Sequence, residues 1–282
     1  MKLIALTLTL IILIAIYNQM TIGKMMIKGK KVLVLGGTKG IGAELARFLS
    51  TENDVTIAAR NFNKNLKYKF INVDINKPDT LNRLDDNYDY VFCCPGYCKT
   101  GYFESLTAAE FYKSININYI GMVNVIRYFL AKSDSKCTFI LFSSTTAYYP
   151  LCGYDSYTPS KSALNSLFYI LDQEYHSNDK IHFKLFNSGN MKSKSYEQEN
   201  LTKPVFTKNV ECISSCSTPE HSAKYLLKHI NDRKVISYDW FSYFLAIKNE
   251  CELLIDYVLF PIAILVVFCV KLRTKRLMKF IK

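Results

Sequence analysis

Lys161 stands four residues after Tyr157, Ser144 thirteen residues before it, and a glycine loop, Gly36-Gly37-Thr38-Lys39-Gly40-Ile41-Gly42, lies near the start of the chain. These residue types can reduce a carbonyl by hydride transfer. The reacting oxygen develops oxyanion character and must gain a proton, so it needs an acid and a hydrogen-bond donor. A tyrosine with its ordinary pKa of about 10 exchanges protons poorly near neutrality. A cation corrects this: the i, i+4 spacing puts Lys161 on the helix face of Tyr157, where its ammonium favours the phenolate and reaches ribose hydroxyls. Pro159 is tolerated between them in a first helical turn. Ser144 follows an apolar run and would bind the ketone oxygen. The YxxxK spacing alone recurs by chance, and the serine offset and glycine loop in order give it meaning.

The glycine loop reads as a phosphate cradle. Gly36 turns the chain off a strand, Gly40 lets backbone approach a pyrophosphate, and Gly42 lets the next helix pack close. Thr38, Lys39 and Ile41 complete the cofactor-facing stretch. The GxxxGxG spacing departs from GxGxxG and by itself marks only a turn, so its place between strand and helix carries the reading. At the end of the second strand, where an acid would hold the ribose of NAD, the chain has Ala58-Ala59-Arg60-Asn61, and Asp54 lies before the strand. Arg60 can grip a 2′-phosphate, with Lys39 as a second cation, so NADPH is the expected cofactor. Solvated surface charge is the alternative for both. Asp74 either accepts from the adenine amino group or caps a strand end.

These residues need strands and helices to carry them. Apolar, β-branched runs at 31–35, 55–59, 68–73, 88–93, 138–142 and 181–186 alternate with helical periodicity at 40–50, 107–131 and 158–175. Such alternation predicts an α/β fold, a Rossmann-like doubly wound parallel sheet with helices on both faces. The 282 residues, 49% of them hydrophobic, suffice for one catalytic domain, placed at 29–235. The nine cysteines show no ligand spacing and read as reduced, mostly buried thiols facing the cytosol.

Both ends look membrane-seeking. Residues 1–23 contain a charge-free apolar run and read as a signal anchor, a cleaved signal peptide being the alternative. Lys24, Lys28, Lys30 and Lys31 follow this run, and only Lys2 precedes it, which places the domain in the cytosol. Residues 240–270 hold two more apolar segments, expected to form a re-entrant hairpin turned at Pro261 or at Lys248–Glu252. A helix packed on the domain's own core is the alternative, kept open by Asp256. A tail at 271–282 carries Lys271, Arg273, Lys275, Arg276, Lys279 and Lys282 and no acid. The formal charge of +12 therefore points to a membrane lipid surface and not to nucleic acid.

The set GxxxGxG, Asp74, Asn118, Ser144 and Tyr157-x-x-x-Lys161 resembles the short-chain dehydrogenase/reductase superfamily over about residues 30 to 235. The resemblance implies that Asn118 holds a water linking Lys161 to solvent. It also implies that Gly96, at the end of the fourth strand, faces the cofactor, and that the helices bearing Asn118 and Tyr157 can pair in a homodimer. Cys93-Cys94-Pro95-Gly96 departs from the usual NxAG there, so weaker local sheet support is expected. The stretch Ser188-Gly189-Asn190-Met191-Lys192-Ser193, with Tyr196, Glu199-Asn200 and Lys203-Pro204, is similar to the substrate loop of 3-ketodihydrosphingosine reductases, with Ser188 in place of proline. That similarity implies a long-chain sphingoid-base ketone as substrate and an endoplasmic reticulum membrane location with a cytosolic active site. A reductase of another lipid ketone shares the same catalytic residues. A non-catalytic cofactor-binding scaffold is the reading from another class, and the intact tetrad argues against it.

Overall fold

The computed structural model describes residues 27–61, 68–132, 134–214 and 216–279. The expected anchor at 1–23 and Lys282 lie outside these residues. The strands are β1 (Lys31–Leu35), β2 (Asp54–Ala59), β3 (Lys69–Asn72), β4 (Tyr90–Cys93), β5 (Cys137–Ser143), β6 (Ile181–Asn187), β7 (Asn190–Met191), β8 (Cys216–Ser217) and β9 (Val235–Ser237). The helices are α1 (Gly40–Leu49), α2 (Ala108–Ile115), α3 (Gly121–Lys132), α4 (Tyr157–Glu174), α5 (Lys194–Thr202), α6 (Val205–Glu211), α7 (Pro219–His229), α8 (Trp240–Asn249) and α9 (Leu254–Met278).

One sheet runs β3-β2-β1-β4-β5-β6-β9 with every pair parallel, and β7 and β8 form a separate short ladder. Alternate side chains of a strand face opposite ways, so each strand feeds two cores. Leu33 and Leu141 pack with Phe129 of α3 and Phe168 of α4 on one face. Val34 and Ile140 pack with Leu45 of α1 and Leu226 of α7 on the other. Helices on both faces make this the expected doubly wound sheet. Strand order reverses between β1 and β4, which opens a crevice at the carboxyl ends of the strands.

Six strands fall where the apolar runs placed them, within two residues at each end. β9 was not expected: at three residues it is too short for periodicity to reveal, and it carries the sheet to Ser237, past the expected boundary at 235. Asp54 is the first residue of β2 and not a residue before it, still at the end away from the crevice. Pro95 lies beyond β4, and Cys94 N–H still donates to the Leu35 carbonyl at 3.2 Å, so the departure from NxAG removes no ladder bond at Cys94.

Between α2 and α3 the helix loosens to a π turn at Asn116–Ile120. Gly121 follows it because a Cβ there would lie 2.6 Å from Ile75 Cδ1. The wide turn carries Asn118 inward, where it is fully buried.

The C-terminal segments form a hairpin turned at the polar Lys248–Glu252 stretch, while Pro261 lies inside α9. Asp256 is buried and holds the hairpin to the domain. It accepts from Arg233 Nη1 at 3.0 Å on both oxygens, from Tyr243 Oη at 2.5 Å, and from the Glu252 and Leu253 N–H groups at 2.9 Å. At the far end Tyr149 Oη donates to Thr274 Oγ1 at 2.9 Å. So α9, long and apolar enough to cross a membrane, is packed along the domain.

One further expectation changes. Only Cys93 and Cys137 are fully buried, and Cys152, Cys212 and Cys269 are exposed, because loops and the outer face of α9 carry them. Lys28, Lys30 and Lys31, counted as a flank of the N-terminal anchor, pair with Glu52, Asp89 and Asp85 on the domain.

Candidate active site

The crevice is a cleft of about 1100 Å³. Ser144 enters it because β5 ends at Ser143 and the next residue caps a tight turn at Thr145–Ala147. Its Oγ accepts from the Thr146 N–H at 3.2 Å and from Thr146 Oγ1 at 3.1 Å. Tyr157 opens α4, and Pro159 falls in its first turn, where a missing N–H costs no helical bond. One turn on, Lys161 is only 4% exposed, and its Nζ donates to the Phe142 carbonyl at 2.6 Å.

Ser144 and Tyr157 face the cleft together, the hydroxyl favouring the phenolate, and Lys161 Nζ lies 5.8 Å from the Tyr157 ring centroid. Burial dominates the electrostatics here. It pushes the phenol well above its ordinary value, with Cys98 and Glu199 adding to the rise and the Ser144 hydroxyl opposing it. Burial also pushes the Lys161 ammonium down to about 8. The ammonium faces the Phe142 carbonyl, so the lowering of the phenol expected from Lys161 is outweighed.

Asn118 sits behind the cleft wall. Its Oδ1 accepts from the Tyr97 N–H and its Nδ2 donates to the Tyr97 carbonyl and to Ser160 Oγ, all at 2.8 Å. Its amide is thus committed to protein partners and fixes the segment at Gly96. A Cβ on Gly96 would lie 3.8 Å from Asn118 Oδ1 and 3.9 Å from Lys161 Nζ.

Gly36, Thr38, Lys39, Gly40, Ile41, Gly42, Arg60, Asp74 and Gly96 all line the cleft. The loop fits the phosphates of a dinucleotide. Gly36 and Gly40 adopt φ of +73° and +58°, and a Cβ on Gly42 would meet the Gly36 carbonyl oxygen at 2.5 Å. A Cβ on Gly40 would meet nothing within 4 Å, so open space lies ahead of the first N–H groups of α1. Arg60 is exposed at the cleft edge. Asp74 Oδ1 accepts from the Asn76 N–H at 3.1 Å, so it caps a strand end as well as facing the cleft.

Several further residues, none of them expected at the site, line the cleft. Phe241 of α8 and Val270 of α9 form an apolar wall, and Cys98, Tyr154 and Glu211 line the side nearest Tyr157. Nothing in their spacing marks them, since the loop after β4, the segment before α4, and α6, α8 and α9 meet only in the folded chain.

A model of the short chain dehydrogenase family matches residues 30–204. The chain belongs to this family. Within the family it is 32% identical over 240 residues to the 3-ketodihydrosphingosine reductase TSC10 of Debaryomyces hansenii, covering 72% of this chain and 73% of that protein. The TSC10 protein of Yarrowia lipolytica is 28% identical, over 70% of this chain and 61% of that one. The 3-ketodihydrosphingosine reductase of Dictyostelium discoideum is 26% identical, covering 79% and 78%. Among solved members, a short chain dehydrogenase from Burkholderia cenocepacia in complex with NADP superposes with a TM-score of 0.66 at 16% identity, covering 79% of this chain and 93% of that one. An NADPH-bound carbonyl reductase from chicken fatty liver gives 0.60 at 17%, covering 75% and 97%. These structures share the family's fold.

Proposed function

We propose that this chain is an NADPH-dependent reductase that converts 3-ketodihydrosphingosine to dihydrosphingosine in sphingolipid synthesis. One observation carries the reading: Ser144, Tyr157 and Lys161 meet in a cleft whose other wall is Phe241 and Val270 of the apolar C-terminal helices. A polar reducing centre beside an apolar wall suits a ketone on a long alkyl chain. The names of the related reductases support the same substrate.

NADPH, when bound, supplies the hydride. Arg60 and Lys39 hold its 2′-phosphate, and the Gly36–Gly42 loop and the N-terminus of α1 hold its pyrophosphate. Lys161 binds the ribose hydroxyls and favours the phenolate. Ser144 donates to the ketone oxygen as negative charge builds there, and Tyr157 delivers the proton. Asn118 keeps the Gly96–Tyr97 backbone in register with Lys161.

The rest of the chain serves the lipid. Residues 29–235 form the catalytic domain, with 1–23 as anchor, 240–270 as a membrane-associated region and 271–282 as a basic tail. In α9, Leu254, Leu265 and Phe268 are 82%, 60% and 56% exposed, with Lys271, Arg273, Lys275 and Arg276 following. Because both ends of α9 are tied to the domain, this face lies in the surface of the endoplasmic reticulum membrane, with the active site on the cytosolic side. A homodimer through the helices bearing Asn118 and Tyr157 completes the proposal.

Purified full-length protein, or microsomes containing it, is assayed with 3-ketodihydrosphingosine and NADPH. Dihydrosphingosine should form with wild type and not with Tyr157→Phe. Absence of product from wild type, or full activity in the variant, sinks the reading.

A further inference from the structure

Three ionisable side chains meet beside Tyr157: Glu199 of α5, Lys203 at its end, and Glu211 of α6. Lys203 is spent. Its side chain is fully buried, its Nζ is 2.6 Å from Glu211 Oε2, and Tyr154 Oη donates to Glu211 Oε1 at 2.6 Å. The rings of Tyr196 and Tyr154 lie 4.4 and 5.3 Å from the same Nζ. With Lys203 held by Glu211, one carboxylate is left over. Glu199 lines the cleft and forms no ion pair among the described residues, Lys203 acting on it through its field and not by contact. Its field reaches the Tyr157 phenol.

A half-buried cleft carboxylate with no cation in contact calls for a positively charged ligand. We infer that Glu199 is a specificity residue that binds the ammonium group carried on the carbon next to the substrate's ketone. This rests on the proposed sphingoid-base substrate, whose amino group sits beside the carbonyl that Tyr157 protonates. The placement has a consequence for the proton donor. Glu199 helps hold the Tyr157 phenol up, so an ammonium docked on Glu199 cancels part of that field and makes the phenol a better acid. The substrate's own charge thereby tunes its proton donor. Glu211 is excluded from the role because Lys203 and Tyr154 already occupy its oxygens.

The experiment uses full-length wild type, Glu199→Gln and Glu199→Asp with NADPH and two ketones: 3-ketodihydrosphingosine and the same long-chain hydroxyketone without its amino group. The ratio of kcat/KM for the amino ketone to that for the amine-free ketone should fall roughly 10- to 100-fold in Glu199→Gln, as expected for one lost charge-assisted bond. Most of the fall should lie in KM, and Glu199→Asp should keep part of the ratio. An unchanged ratio, or an equal fall for both ketones, overturns the inference. If wild type reduces neither ketone, the proposed function fails, and the ammonium site is judged by thermal unfolding with dihydrosphingosine against octadecanol. A rise in Tm with the amine alone, absent in Glu199→Gln, upholds the site, and equal rises in both proteins overturn it.

Discussion

Asn118 and Tyr97 exchange two hydrogen bonds of 2.8 Å, the Asn118 amide accepting from the Tyr97 N–H and donating to its carbonyl. This two-way clasp ties the π turn between α2 and α3 to the backbone just past β4. Asn118→Ala leaves both Tyr97 groups and Ser160 without this partner. Stability should fall by about 1–3 kcal/mol, measured by urea denaturation, as expected for buried polar groups left unpaired. Asn118→Asp should also weaken the fold, because an ionised carboxylate cannot donate to the Tyr97 carbonyl.

Tyr157→Phe removes only the phenolic oxygen. The ring and its packing remain, so the unfolding midpoint should stay near that of wild type. Ketone reduction should drop about 100- to 10,000-fold, the usual range for losing a positioned general acid. Cofactor affinity, followed by NADPH fluorescence, should change far less than kcat.

Arg60 stands exposed at the cleft edge, where the alternative is an idle surface charge. Arg60→Ala should raise the KM for NADPH roughly 10- to 100-fold by loss of charge-assisted bonds to the 2′-phosphate. The KM for NADH should move little. A variant with both values unchanged returns Arg60 to the solvent.

The staple at Asp256 makes a separate prediction. Asp256→Ala strands the partly buried Arg233, and removing one member of such a pair costs about 3–5 kcal/mol. Limited proteolysis should then cut between α8 and α9. Charged substitutions at Leu254, Leu265 and Phe268 should leave the fold intact, because these side chains are exposed. They should loosen the contact of α9 with anionic-lipid vesicles, read by hydrogen exchange over residues 254–268, while the N-terminal anchor keeps the protein on them.

Burial holds the Glu199 carboxyl up to about 7, above its ordinary 4.5, against the pull of Lys203 and with Glu211 adding to the rise. Cys98, Tyr154, Tyr157 and Tyr196 are the other titratable groups around it. A carboxyl raised in the folded state favours the fold while protonated. Its contribution is complete below about pH 4.5 and is lost as pH rises through about 7. The ligand-free protein should therefore lose some stability across that window, and Glu199→Gln should flatten the loss. Preference for the amino ketone should move the opposite way, growing as Glu199 ionises.

The continuous apolar runs of Lys31–Leu35 and Cys137–Ser143, set between helical segments, were enough to predict the parallel sheet, because strands buried on both faces must be apolar along their length. The glycine loop and the Tyr157, Lys161 spacing were legible for a similar reason: a tight turn and one helical turn are local geometry, written in adjacent residues. β9 was too short to read, and composition does not reveal that Asp256 finds Arg233 and ties α9 to the domain.

By itself, then, the sequence determined the fold class, the phosphate cradle and the reducing set on α4, since each depends on neighbours along the chain. Only the tertiary structure decided that Asn118 clasps Tyr97, that α9 lies against the domain and walls the cleft, and that Lys203 pairs with Glu211 and not with Glu199. Those outcomes depend on which side chains of distant segments come within about 3 Å of one another, and burial then fixes their charge.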